Sequence, residues 1–246
     1  MDRLIYIAMT GAQQQFHQQA VTANNLANAS TAGYKAETAA YRTAQVEGQG
    51  LPARAYALTA TQGADLTAGA IQRTGRDLDV AVEGDGFFAV QALDGSEAYT
   101  RGGSFRISPE GELQTRAGLP VLGEGGPISI PGDTQVSIAA DGTISAVTLG
   151  QSAANVIVAG RLKLVNPERG DLVRGADSLF RPRGGAAVDV DPNVKVVAGA
   201  LEDSNVNTVA TMVEMINLAR QYDLHMKVLQ SADSNAQRAN QLLSGG

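Results

Sequence analysis

The sequence predicts an α+β protein in which long N- and C-terminal helices pack as a coiled-coil-like core around which a β-rich, antiparallel middle domain is displayed. Three observations predict it. Near the N-terminus, Ile5, Met9, Ala12, Phe16, Ala23 and Leu26 recur at spacings of three, four or seven. Near the C-terminus, Met212, Met215, Ala219, Tyr222, Met226, Leu229, Ala236 and Leu243 do the same. Both stripes follow the a/d pattern of helices sharing a seam. Between them, Gly- and Pro-rich turn markers separate short apolar runs, the spacing of antiparallel strands rather than βαβ units. Such a chain brings its ends together and presents its middle outward, the plan of an assembly subunit.

The first helix is expected from about Asp2 to Ala27, within an N-terminal core segment of residues 1–30. Asn28-Ala29-Ser30-Thr31-Ala32-Gly33 then ends it, with Gly33 able to take φ > 0. Residues 31–74 are rich in Ala, Thr, Gln and Gly without a clean period and are expected as a partly irregular, extended linker. Residues 75–193 form the expected β-rich outer domain. In it, Leu78–Glu83 alternates, breaks at Gly84-Asp85-Gly86 and resumes at Phe87–Val90, a hairpin signature. Asp94-Gly95, Gly102-Gly103, Pro109-Glu110-Gly111, Gly125-Gly126-Pro127 and Asp141-Gly142 punctuate later runs such as Val136–Ile138, Val156–Val158 and Leu162–Val165. Residues 194–203 are expected to return as a strand. A C-terminal core helix, 204–246, then starts at a Ser204 or Asn205 cap and extends roughly 60 Å at 1.5 Å per residue.

Composition narrows the function classes. Hydrophobic content is 43%, but there is no Trp, aromatic content is 4% and Gly reaches 28 residues. Small residues let helices and turns approach closely while each contact buries little area. A net charge of −6 without any Lys/Arg block argues against nucleic acid, where phosphate neutralisation dominates affinity. The absence of Cys removes thiol catalysis, Cys-ligated zinc and disulfides. No secretory h-region and no stretch of about 20 apolar residues is present, so a soluble protein that does not span a membrane or use the general export route is expected.

Apparent chemical motifs reduce to structural ones. Gly84-Asp-Gly86-Phe-Phe-Ala89 matches the dinucleotide fingerprint, which requires a following helix to hold the pyrophosphate, whereas Phe87–Gln91 is strand-like. Asp189 and Asp191 lack further ligands at EF-hand spacing and read as a solvated loop. His17 and His225 sit in the two helices without a Ser or carboxylate constellation. Asn28-Ala29-Ser30 fits a glycosylation sequon but reads as a helix-ending turn. No catalytic residue, cofactor, metal or small-molecule substrate is expected.

One motif is specific. Ala23-Asn24-Asn25-Leu26-Ala27-Asn28, followed by Thr31-x-Gly33-Tyr34-Lys35, resembles the signature of bacterial flagellar rod and hook proteins. Gly75-Arg-Asp-Leu-Asp79-Val-Ala-Val-Glu-Gly-Asp-Gly-Phe-Phe88 resembles a second block of that family, and Tyr99-Thr-Arg101-Gly-Gly-Ser-Phe105 a third. Leu201-Glu-Asp-Ser204-Asn205-Val206-Asn207, with Met212, Ile216, Arg220, Tyr222, Lys227 and Asp233, resembles its C-terminal tail. Within the family, Met1-Asp2-Arg3-Leu4-Ile5-Tyr6 and the modest length are most similar to proximal-rod members; a distal-rod or hook-type subunit is the alternative.

The resemblance implies a structural subunit, exported through the flagellar type III apparatus without a cleaved signal. It implies polymerisation in the periplasm, with itself and other rod proteins, into a torque-transmitting shaft. The implied assembly residues are Ile5, Met9, Phe16, Asn24, Asn25, Leu26, Asn28, Thr31, Gly33, Tyr34, Lys35, Ser204, Asn205, Val206, Met212, Ile216, Arg220, Tyr222, Met226 and Leu229. Gly33, Tyr34 and Lys35 would fix the bend after the first helix. Because Ala12, Gln19, Ala23 and Asn24 leave the N-terminal stripe thin, both ends are expected to order on assembly. Two other classes remain: an enzyme, resting on Gly84–Ala89 alone and testable with a nicotinamide cofactor, and a non-polymerising export adaptor or cap, which would be a stable, fully helical monomer.

Overall fold

The computed structural model describes residues 2–45, 55–132, 134–148 and 156–244. The chain forms two compact units. One comprises Met1–Ala29, Glu37–Ala64 and Val206–Gly246; the other comprises Ser30–Ala36 and Asp65–Asn205. The second unit is therefore built almost wholly from the middle of the chain, where the turn markers crowd.

In the second unit, the strand pairings among the described residues are all antiparallel. A five-stranded sheet runs in the order Leu164–Val165, Phe87–Gln91, Glu97–Thr100, Phe180–Pro182, Leu172–Arg174. A three-stranded sheet joins Thr134–Ile138, Thr143–Thr148 and Val156–Arg161. Short two-stranded pairs complete the unit. Its core gathers Val80, Val82, Phe88, Val90, Phe105, Leu113, Val121, Ile144 and Leu164. Phe88 and Phe105 meet edge to face with centroids 5.2 Å apart, so the few aromatics stand at the centre. The β-rich, antiparallel middle is as expected.

The expected Leu78–Val90 hairpin is not formed. Val80–Glu83 pairs with Lys195–Ala198, more than a hundred residues on, while Phe87–Gln91 pairs with Glu97–Thr100 and Leu164–Val165. Gly84-Asp85-Gly86 thus carries the chain from one sheet to another instead of folding it back. Gly86, at φ +135°, passes so close to Val194 that a Cβ would lie 2.7 Å from its side chain.

In the first unit, Glu37–Gln45 and Ala55–Ala64 form an antiparallel ribbon with a bulge between Ala40 and Tyr41, where the sequence suggested a partly irregular linker. Helix α1 spans Asp2–Ala27 and helix α2 Thr208–Ser244. These two helices do not pack as a coiled-coil-like core, which corrects the expectation. Of the expected seam, Met9, Phe16, Met212 and Met226 are exposed, while Ala12 is buried and Met215, Tyr222 and Leu229 are half-buried. The helices meet instead through small and amide residues: Gly11 lies under the His225 ring, Gln15 Nε2 donates to Gln221 Oε1 at 2.9 Å, and Gln18 Nε2 reaches Glu214 Oε1 at 3.5 Å. On α2 the inward residues are Leu218, with Thr211, Met215, Tyr222, His225 and Leu229 half-buried beside it. Apolar residues occupy so broad an arc of α2 that the stripe read from their spacing straddles the contact and solvent.

Candidate functional site

The Thr31-x-Gly33-Tyr34-Lys35 motif is held in the second unit by residues far along the chain. Gly33 takes φ +70°, and a Cβ there would lie 2.3 Å from the Arg101 carbonyl carbon and the Gly102 nitrogen. Only glycine fits such a left-handed, backbone-against-backbone position. The Gly33 N–H donates to the Glu202 carbonyl at 2.7 Å. Tyr34 is buried beneath the Arg174 guanidinium, 4.5 Å from its ring centroid, and Arg174 Nη1 also donates to the Lys35 carbonyl at 2.8 Å.

Lys35 is the most unusual residue in the unit. Its side chain is 0% exposed, as an ammonium is only when fully partnered. Lys35 Nζ donates to Glu202 Oε1 at 2.6 Å and to the Thr67 carbonyl at 2.6 Å. The other Glu202 oxygen accepts Arg101 Nη1 at 3.0 Å, and Oε1 also accepts the Gly69 N–H at 2.8 Å. Arg101 Nη2 reaches the Gly84 carbonyl at 2.7 Å, and its guanidinium lies 5.2 Å from the Phe87 ring centroid. Burial holds the Lys35 ammonium below its ordinary pKa, against the raising influence of Glu202.

Asn205 does not cap α2. Its side chain binds Ala36, Asp65 and Thr67, and the cap is Asn207, whose Oδ1 accepts the Ala210 N–H at 3.0 Å. In the first unit, Asn25 and Glu37 exchange hydrogen bonds: Asn25 Nδ2 donates to the Glu37 carbonyl at 2.9 Å and its Oδ1 accepts the Glu37 N–H at 2.7 Å. Asn28 closes α1 by donating from Nδ2 to the Asn24 carbonyl at 2.9 Å.

The remaining expected residues are dispersed. Asn24, Thr31 and Arg220 are exposed, while Leu26, Ser204, Val206, Tyr222 and Leu229 are half-buried. The side chains of Ile5, Ala236 and Leu243 lie outside the described residues. Sequence reading missed Arg101, Arg174, Glu202 and Asn207 as individual residues. Three of these stand inside the quoted blocks, so the blocks themselves were the available signal. Among the described residues, no group of three or more His, Asp or Glu could hold a metal ion.

Residues 5–35 match the family described as Flagella basal body rod protein, residues 81–146 the Flagellar hook protein FlgE/F/G D1 domain, and residues 197–242 the Flagellar basal body rod FlgEFG protein C-terminal family. The FlgF rod protein of Escherichia coli is 50% identical over 250 residues, covering 99% of both chains. This chain belongs to the flagellar basal-body rod protein family. FlgF of Salmonella typhimurium is 48% identical over the same span, and FlgG of Buchnera aphidicola (Acyrthosiphon pisum) is 32% identical across 97% of this chain and 98% of its own. The protein is thus a structural subunit of the flagellar basal-body rod, more similar to these FlgF relatives than to that FlgG. The four blocks have a physical meaning in this rod protein: Lys35 from the first, Arg101 from the third and Glu202 from the fourth converge on one buried cluster. In the second block, Arg76 bonds Asp79 Oδ1 at 2.6 Å and the Phe105 carbonyl at 2.7 Å. No helix among the described residues is long and apolar enough to cross a membrane.

Proposed function

We propose that this rod subunit belongs to the proximal segment, where it polymerises with itself and with other rod proteins and passes torque from the membrane ring toward the distal rod and hook. The observation that carries this reading is the full-length likeness to FlgF together with apolar side chains left exposed along both terminal helices. Phe16 is 65% and Ile216 54% exposed, and Met9, Met212 and Met226 accompany them. Apolar surface at this density marks contact with further protein. In the assembled rod these residues, with Ile5 and Arg220, face neighbouring subunits, and the 75–193 region stands outside them. Export proceeds through the flagellar type III apparatus. The Asn24–Lys35 segment and Ser204–Val206 set where the chain passes between its helical and β-rich parts.

Electron microscopy of basal bodies from a strain deleted for this chain tests the reading. Rings without a completed rod, hook or filament are expected, with rescue by the intact chain. Normal flagella in the deletion strain would sink it.

A further inference from the structure

The chain enters or leaves the second unit four times, at Ser30, Ala36, Asp65 and Asn205, and one side chain ties the last three crossings together. Asn205 Oδ1 accepts the Ala36 N–H at 2.7 Å, and Nδ2 donates to the Asp65 carbonyl at 2.8 Å. The same Nδ2 lies 3.2 Å from the Thr67 hydroxyl, and the Asp65 N–H donates to the Ala36 carbonyl at 2.8 Å. Next along the chain from these crossings, Lys35 binds Thr67 and Glu202, which Arg101 locks from its other oxygen.

We infer that Asn205 is a mechanical clasp that makes these three of the four crossings bear load together, anchored by the buried Lys35–Glu202–Arg101 cluster. The inference rests on the reading of this chain as a subunit of a shaft under torque. Crossings bonded to one another share a pull and must fail together. Crossings held separately detach one at a time, each at a lower force. An amide suits the task because it offers donors and an acceptor in one plane without a charge to solvate. The anchor resists opening because separating any one member leaves a buried charge without its partner.

The test uses the full-length chain returned to cells deleted for it. Asn205→Ala is expected to give complete basal bodies and normal rotation at low load. Its motile fraction in viscous medium should fall below that of the unaltered chain. Amide exchange at Ala36 in the purified chain should accelerate about tenfold, the factor set by losing one to two net hydrogen bonds. Because the chain has no cysteine, Ala36→Cys with Asn205→Cys can replace the clasp by a disulfide. The oxidised double variant should recover high-load motility that Asn205→Cys alone lacks, and reduction should remove it. Complete rods with undiminished high-load motility in Asn205→Ala would overturn the clasp and leave the rod reading intact. If Asn205→Ala builds no rod, the oxidised pair decides: rods that turn under load support the clasp, and an oxidised pair no better than Asn205→Cys overturns it. Failure of the unaltered chain to restore rods removes the rod reading, and the clasp with it.

Discussion

Gly33 and Gly75 share a left-handed backbone, at φ +70° and +74°, but differ in what a side chain would meet. Gly75 has nothing within 4 Å, so Gly75→Ala should cost only the left-handed penalty of about 1–2 kcal/mol. Gly33→Ala adds a collision with the Arg101–Gly102 peptide and should cost about 3 kcal/mol or more. Paired urea unfolding curves measure the difference, and equal losses would show that the backbone there yields freely. Titration gives a second test in the same unit. Burial pushes the Tyr99 hydroxyl from 10.0 up to about 12, while it accepts the Val188 N–H at 2.7 Å and donates to Glu97 at 3.0 Å. The unfolded chain surrenders this proton first, so stability should fall by roughly 2–3 kcal/mol as pH rises from 10 to 12. Lys35 acts with opposite sign. With its folded value depressed below 10.5, the unfolded chain binds more protons in the interval between, and stability rises with pH there. Tyr99→Phe should therefore cost about 1–2 kcal/mol at neutral pH yet abolish the alkaline decline; a decline of unchanged size in that variant would assign it to another group.

The ends of elements were more legible than their partners. Gly33 terminating the first helix region, and the turns at Asp94-Gly95 and Asp141-Gly142, follow from residue types acting on their own backbone. Strand pairing does not. Nothing near Val80–Glu83 announces Lys195–Ala198, and the local turn residues at Gly84–Gly86 pointed to the wrong neighbour. The buried cluster was hidden for the same reason, since Lys35 and Glu202 stand 167 residues apart and neither announces the other. The phase of the terminal stripes misled because the spacing of apolar residues was used to choose the seam, whereas Gly11, Gln15 and Gln18 make the contact by closeness and amide bonding. The start of α2 shows how fine the distinction is: three Asn or Ser residues precede it, and only geometry selects Asn207. Asn207→Ala should weaken α2 by about 1 kcal/mol, seen as faster exchange at Ala210 and Thr211, while Asn205→Ala leaves those amides unchanged. Faster exchange there in Asn205→Ala would make Asn205 part of the cap.

At the scale of the molecule, the two units have different sources of stability. The second encloses Val80, Phe88, Phe105, Leu113 and Ile144 completely and needs no partner to bury them. The first leaves Phe16, Met212, Ile216, Leu224 and Val228 exposed along helices of 26 and 37 residues. Ordering those helices costs about 1–2 kcal/mol per residue in backbone entropy, which amide contacts and a few buried Ala, Val and Leu side chains offset poorly. In the assembly proposed above, neighbouring subunits supply the missing burial. Circular dichroism of the dilute chain should accordingly show less helix than these two elements contain, rising on assembly while the β signal stays constant. Ile216→Glu should prevent that rise without lowering the unfolding midpoint of the second unit. Full helix content at the lowest concentration, unaffected by Ile216→Glu, would mean that the helices are stable alone and that their exposed stripes serve something other than folding on assembly.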